Sequence, residues 1–286
     1  MNRLRIGGVP EYFNLPILLA IENGDFAAVD IHLEWIDIPE GTGRMTKALA
    51  AGDLDLAIAL TEGISKSIVG GNPSTIIHEY VNSPLIWGVH RSTANNRGVP
   101  EFKARKFAIS RYGSGSHLMA ILYAEQNGVK ASDLVFEVVN NLQGAQVALA
   151  ENPDILFLWE KYTTQPLVDR GEFFRVDEFP TPWPCFVLAA SNNCLRSHRS
   201  SVRHVVQVIT ESILKQVKSP TFAAAIANRY GLKPEQIAEF LPHTTWNGHW
   251  KSPEIAITKV FSALSKLDLF ASSKQVAELW TSIDLD

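Results

Sequence analysis

The sequence predicts an α/β protein built as two doubly wound lobes joined by a hinge, with a cleft between the lobes. Three observations carry that prediction. Short apolar runs alternate with helix-like stretches of 8 to 10 residues, the pattern of βαβ units whose sheet is buried on both faces. At 286 residues the chain exceeds the usual size of one hydrophobic core. The segment Phe179-Pro180-Thr181-Pro182-Trp183-Pro184 is too rich in proline for the inside of a sheet, so it reads as an extended crossing between lobes.

In chain order, residues 4–9 form a short strand that ends in Gly7-Gly8 and Pro10, and residues 15–23 form an apolar helix stopped at Asn23-Gly24. Residues 31–36 alternate as a second strand, and Pro39 to Gly43 turns into a helix over 44–51 with Gly52 behind it. A third strand over 54–60 is followed by Thr61, the expected N-cap of a helix over 62–69, and then by a fourth strand over 75–80.

The theme repeats. A strand over 85–90, a polar loop from Arg91 to Arg97, a strand over 106–110, a helix over 117–127 and a strand over 135–139 come first. A helix over 143–150, a strand over 155–159, a helix over 163–169 and a short strand over 173–176 complete the second set. After the crossing, residues 185–190 form a strand, and the pattern from Ser200 on is helical over 202–217, 221–230, 234–240 and 253–267. Lobe 1 is therefore expected to be discontinuous, residues 1–83 with 183–286, and lobe 2 to be residues 84–182.

Composition narrows the function. With 46% hydrophobic residues, 20% charged residues and a net charge of −4, the chain has an ordinary globular make-up and no basic footprint for nucleic acid. No apolar run approaches the length of a membrane span. The start Met1-Asn2-Arg3 leads straight into Leu4-Arg5-Ile6 without the apolar core of a secretory leader, so the expected location is cytoplasmic as the chain stands, and periplasmic if a leader has been removed. Cys185 and Cys194 are too few and too poorly spaced for a zinc site or a disulfide framework, although a single bridge between them stays open. His32, His78, His90, His198, His204, His243 and His249 are scattered, and we read most of them as surface or capping residues; no metal or cofactor is expected.

In doubly wound sheets a ligand sits beyond the C-terminal ends of the strands, and the odd polar and aromatic residues of this chain stand there. Ser110-Arg111-Tyr112-Gly113-Ser114-Gly115-Ser116-His117 is a strand, a small-residue turn and a helix start. Such a junction aims backbone N–H groups and a helix dipole at one point, where hydroxyls and Arg111 can join them as a seat for an anion. The same glycines can instead just make a tight turn with Ser114 or Ser116 as N-cap. The spacing is neither a dinucleotide fingerprint nor a P-loop.

Tyr12 and Phe13, beside Glu11 and Asn14, follow the first strand and can wall a ligand or pack in the core. Glu62 follows the third, where a carboxylate suits a helix N-terminus or meets a ligand donor. Trp159-Glu160 repeats an aromatic and a carboxylate at a strand end, and Trp183 either covers the cleft or packs between lobes. For catalysis there is little. The Gly-X-Ser-X-Gly elbow is absent, Ser116 and His117 do not face each other on a helix, and Glu62 and Glu160 carry no assignable acid and base roles.

Several strings resemble the type 2 periplasmic-binding-protein superfamily: Asn14-Leu15-Pro16, Asn23-Gly24-Asp25-Phe26, Gly41-Thr42-Gly43-Arg44-Met45, Leu49-Ala50-Ala51-Gly52-Asp53-Leu54-Asp55 and the serine-glycine turn at 113–116. The likeness runs from Leu4 to about Leu267 and is greatest to the branch of sulfonate, taurine and thiamine-precursor binding proteins. Leu60-Thr61-Glu62-Gly63, residues 109–119, Trp159-Glu160-Lys161-Tyr162-Thr163-Thr164 and Pro180-Thr181-Pro182-Trp183-Pro184-Cys185-Phe186 look like a leaderless, stand-alone subgroup known from fungi and some bacteria.

The resemblance implies two lobes closing on a small polar or anionic ligand, with Tyr12, Phe13, Thr42, Thr61, Glu62, Arg111, Tyr112, Gly113, Ser114, Gly115, Ser116, His117, Trp159 and Glu160 as contacts. It makes an ABC permease the partner only of an exported form. The cysteine-rich CCCFC-type iron motif of the related thiamine-pyrimidine synthases is absent, which argues against that enzyme activity. The expected function is small-molecule binding, like that of ABC-transporter substrate-binding proteins. The alternative is a cytoplasmic enzyme of small-metabolite or cofactor biosynthesis on the same fold.

Overall fold

The computed structural model describes residues 1–95, 105–266 and 275–283; the ends of the predicted loop at Arg97 and of the last predicted helix at Leu267 lie outside them. The chain divides into two compact units, one of Met1–Ser83 with Pro182–Asp286 and one of Pro84–Thr181. Unit 1 opens with β1 (Asn2–Gly8), α1 (Leu15–Glu22), β2 (Ile31–Asp37), α2 (Thr42–Ala51), β3 (Leu56–Leu60), α3 (Thr61–Val69) and β4 (Ser74–Val81). Unit 2 consists of β5 (Ile86–Ser92), β6 (Lys106–Ile109), α4 (Gly115–Gln126), β7 (Val135–Val138), α5 (Leu142–Glu151), β8 (Leu156–Glu160), α6 (Lys161–Asp169) and β9 (Phe173–Pro180). The chain returns to unit 1 with β10 (Phe186–Ser191), α7 (Asn192–Ser197), α8 (Arg199–Gln216), α9 (Phe222–Tyr230), α10 (Pro234–Phe240) and α11 (Glu254–Lys266).

Each unit holds a five-stranded sheet, in the order β2-β1-β3-β10-β4 in unit 1 and β7-β6-β8-β5-β9 in unit 2. The two orders follow one plan. Three parallel strands with a reversal of order after the first are joined by one antiparallel strand, β10 or β5, and then by the last. The α/β class holds, but the sheets are mixed where the alternation of elements predicts parallel strands throughout. In both sheets the antiparallel strand is the first one after the chain passes from one unit to the other. Its apolar run reads like that of a buried parallel strand, so sequence pattern cannot reveal its direction.

A second correction concerns Pro180. It closes β9 opposite Ile86, although the proline-rich segment is expected to stay out of the sheet. As an edge strand, β9 needs no outward hydrogen bond from the proline. The other sheet protects its edge differently. Glu79, Tyr80 and Asn82 of the β4 region exchange backbone hydrogen bonds with Lys251, Asn247 and Thr245, and Ile76 does so with Leu279 and Thr281. The exposed row of amides on β4 is thus covered by the C-terminal part of the chain.

In unit 1 the core is built from Met45, Leu49, Leu54, Ile64, Ile68 and Ile76 with Val187 and Ile257, and in unit 2 from Leu149, Ile155, Phe157, Leu167 and Phe173. Cys185 and Cys194 are buried and unbridged. Among the histidines, His78 and His90 are interior rather than surface residues, each fully enclosed. Lys251 donates its amide to His78 Nδ1, and His90 Nε2 lies 3.0 Å from the Thr164 hydroxyl, so both rings are held as neutral members of the core.

Candidate functional site

At the C-terminal ends of the unit 1 strands the backbone turns sharply into helices. Gly8 ends β1 beneath Trp35: a Cβ there would lie 2.4 Å from the indole ring, so only glycine fits. Tyr12 and Phe13 follow, and both are buried. Tyr12 stacks on Phe240 with ring centroids 4.0 Å apart, and Phe13 packs against Phe186 at 4.9 Å. The Phe13 carbonyl accepts from Tyr80 Oη at 2.7 Å and from Trp246 Nε1 at 2.8 Å. These two aromatics therefore pack inside unit 1. Asn14 donates Nδ2 to the Val9 carbonyl at 2.8 Å.

Thr42 opens α2 and accepts the Leu60 amide on Oγ1 at 3.0 Å, with its methyl packed on Gly63. Thr61 is the first residue of α3 and not its N-cap, which is Leu60. Its hydroxyl donates instead to the Pro184 carbonyl at 2.6 Å, and its amide donates to the Cys185 carbonyl at 3.0 Å. Thr61 is already a helical residue, one position inside the cap, so its hydroxyl is not placed to accept the first-turn amides of α3.

Glu62 is 2% exposed. Its Oε2 accepts from Trp183 Nε1 at 2.9 Å, while Oε1 has no hydrogen-bond partner among the described residues. Burial raises its carboxyl to about 7, against which its own backbone amide and Trp183 act only weakly. A buried polar atom without a partner costs about 1–3 kcal/mol. Trp183 is 1% exposed and lies within unit 1.

The two passages of the chain are tied on each side. In unit 1, Cys185 donates its amide to the Ser83 carbonyl at 3.1 Å. In unit 2, Thr181 donates its amide to the Leu85 carbonyl at 2.9 Å and accepts the Leu85 amide on Oγ1 at 3.0 Å. Pro84 on one passage and Pro182, Trp183 and Pro184 on the other lie between these ties.

In unit 2 the turn after β6 is tightly wired. Ser114 is the N-cap of α4 and accepts the His117 amide. Its own hydroxyl donates to the Arg111 carbonyl at 2.7 Å. Since each hydroxyl has one hydrogen, the Ser116 hydroxyl then donates to Ser114 Oγ at 3.1 Å and the Ser110 hydroxyl to Ser116 Oγ at 3.2 Å. The Ser110 amide also donates to Ser116 Oγ at 2.9 Å. All three serine hydrogens are consumed by the turn, so the hydroxyls hold the loop in shape and do not face outward as donors. His117 Nδ1 accepts the Gly113 amide at 3.0 Å, and its ring meets Phe136 edge-on at 4.5 Å.

What the turn leaves uncommitted is different. The first-turn amides of Gly115 and Ser116 and the exposed guanidinium of Arg111 make no hydrogen bond or ion pair among the described residues. Tyr112 beside them is 65% exposed. Backbone donors at the positive end of α4 and a free guanidinium suit an anion.

Glu160 at the end of β8 is spent as the N-cap of α6, accepting the Tyr162 and Thr163 amides and the Thr163 hydroxyl at 3.1, 2.6 and 2.7 Å. Burial still raises its carboxyl. Trp159 is half-buried and stacks on Phe157 at 5.3 Å. Sequence reasoning overlooked Trp35, whose role depends on a glycine one strand earlier in the chain, and the capping role of Asn141, the N-cap of α5, which accepts the Gly144 amide at 2.9 Å. Asn141 stands three residues after the end of β7 and three residues before a glycine, a signal a capping search can find. Among the described residues no group of three or more His, Cys, Asp or Glu side chains is placed to hold a metal, and no helix is long and apolar enough to cross a membrane.

Three kinds of comparison bear on this geometry. Residues 87–179 match the family model described as Ca3427-like PBP. No curated protein sequence matches the chain. Among solved structures, the Candida albicans CA3427 gene product, described as exhibiting the generic periplasmic binding protein structural fold, is 26% identical with a TM-score of 0.88, over 96% of this chain and 93% of that one. The alkanesulfonate-binding protein SsuA of Xanthomonas axonopodis pv. citri, bound to MOPS, is 15% identical with a TM-score of 0.79, over 99% of each chain. The nitrate-binding protein NrtA of Synechocystis is 13% identical with a TM-score of 0.71, over 97% of this chain and 84% of that one. Two α/β lobes with mixed sheets in this arrangement are the periplasmic-binding-protein fold.

Proposed function

We propose that this chain, on its periplasmic-binding-protein fold, binds a small polar or anionic molecule and closes its two lobes on it. The observation that carries the reading is the division of labour in the turn after β6: the serines spend their hydrogens on the loop, and Arg111 with the Gly115 and Ser116 amides is left for a ligand. The described ligands of structurally similar proteins, alkanesulfonate and nitrate, are anions of the kind such donors hold. Contacts made only in the closed state shift the equilibrium between open and closed forms. We place the chain beside the Ca3427-like group and the sulfonate binders, and assign an ABC permease as partner to an exported form alone.

Native mass spectrometry of freshly purified protein should reveal a co-purified small molecule, and calorimetry with alkanesulfonates, nitrate and methylphosphonate should give saturable heats. Absence of both a bound molecule and any saturable heat overturns the reading.

A further inference from the structure

One face of unit 1 combines a hollow with a neighbouring projection. The hollow lies between the end of α8, α9 and α10, has a volume of about 580 Å³ and is lined by apolar side chains, among them Val217, Ala223, Ala224, Ala227, Ile237 and Leu241. Its depth comes from the sequence of α9. Ala224 and Ala227 are three residues apart and Ala223 and Ala227 four, so they share one face of the helix. A single methyl group at each leaves room where a longer side chain would close the seam with α10.

The projection is Leu214, one helical turn before Val217 and therefore beside the rim. Its side chain is 41% exposed, although leucine gains from burial. Gly248 props it in place: a Cβ there would stand 2.6 Å from Leu214 Cδ2, so the side chain rests against backbone. Charge follows the same division. Lys215 and Lys218 flank the projection, while Glu235 and Glu239 stand four apart on α10, next to Pro234 and Ala238 of the hollow. Lys215, Lys218 and Glu235 are exposed and make no ion pair among the described residues.

We infer that this face docks a second copy of the chain, with Leu214 of each copy entering the alanine hollow of the other. A projection and a hollow side by side on one surface satisfy each other in a closed pair, about a two-fold axis that passes between them. The same rotation lays the end of α8 on α10 of the other copy. Lys215 and Lys218 then meet Glu235 and Glu239, so charge favours the arrangement that shape requires. The face belongs wholly to unit 1 and holds none of the residues proposed as ligand contacts, so the inference stands apart from the binding-protein reading.

The test is sedimentation velocity of the full chain from about 1 to 300 µM, a range suited to a small interface. The unsubstituted protein should pass from monomer to dimer as concentration rises. Leu214→Glu and, independently, Ala224→Arg should weaken association at least about tenfold, the effect of altering a side chain at an interface centre. Lys215→Glu/Lys218→Glu and Glu235→Lys/Glu239→Lys should each associate weakly alone, whereas an equal mixture of the two should form mixed dimers, because each supplies the charge the other lacks. A monomer at every concentration overturns the inference, as does a dimer that Leu214→Glu and Ala224→Arg leave intact. Growth beyond a dimer overturns the two-fold closure, and a mixture no more associated than its components overturns the pairing of charges. Circular dichroism checks the fold of each variant; should Leu214→Glu unfold, Ala224→Arg at its exposed helix position and the mixture decide.

Discussion

The indole N–H of Trp183 donates to Oε2 of Glu62 at 2.9 Å, and the two side chains are sealed together inside unit 1. The bond ties the segment on which the chain re-enters unit 1 to the first turn of α3, next to the Thr61 bonds to Pro184 and Cys185. One neutral donor does not replace the hydration a carboxylate gives up on burial. Glu62 consequently holds its proton far above the usual carboxylate range, and the consequence is measurable.

Stability should fall as pH rises from about 4.5 to about 7, because over that window the unfolded chain has released the Glu62 proton and the folded chain has not. The contribution is fully present below 4.5 and lost above 7, a difference of roughly 3 kcal/mol from the size of the shift. Urea denaturation across this range should show the slope in the unsubstituted protein and a flatter profile in Glu62→Gln.

Two histidines act in the opposite sense. Burial lowers His78 to about 4 and His90 to about 3, the latter helped by the nearby Arg175 charge. Their stabilising contribution is present above pH 6.5 and is lost as pH falls toward those values, with a slope of about 1.4 kcal/mol per pH unit for each group. Replacing His90 with Gln, which can still meet the Thr164 hydroxyl, should remove one group's share of this acid sensitivity, read from denaturation midpoints between pH 6.5 and 4.

Arg111→Ala should leave the melting temperature within about a degree, since the side chain is exposed and unengaged among the described residues. Affinity for an anionic ligand should drop at least about tenfold, the worth of a charge-assisted bond of about 1.5–3 kcal/mol. Calorimetry at two salt concentrations checks both the loss and the weaker salt dependence that goes with it.

Ser116→Ala should behave in the reverse way. Its hydroxyl accepts the Ser110 amide and links Ser110 to Ser114, so its removal strands a buried amide and breaks the relay, at a cost of about 1–3 kcal/mol in stability. A thermal melt of Ser116→Ala as steady as that of Arg111→Ala would refute the division between wiring and binding in this turn.

Much of the fold was legible because its signals are local. Apolar runs bounded by glycine, asparagine and proline mark the strands, and Ser114 at the start of α4 follows from the small-residue turn. The direction of β5 and β10 was not legible, since direction is decided by how distant segments pair and leaves no mark on a buried run. The site divides along the same line. Arg111 stands out from sequence because an arginine in a glycine-serine turn is locally odd. That the serines beside it are spent, or that Thr61 caps nothing and instead binds Pro184 more than a hundred residues away, depends on contacts no local pattern encodes. Glu62 could be named from its place after a strand, but its empty oxygen could not.

The return of the chain through β10 sets the order in which the two halves can be finished during synthesis. Unit 2 lies in one continuous stretch and owns all five of its strands, whereas β4 joins its sheet through β10, which follows the whole of unit 2. A ribosome therefore delivers a complete second sheet while the first still has an open, apolar flank on β3. The unit 1 sheet is completed only when β10 has emerged, and until then the flank of β3 is an edge open to wrong pairing.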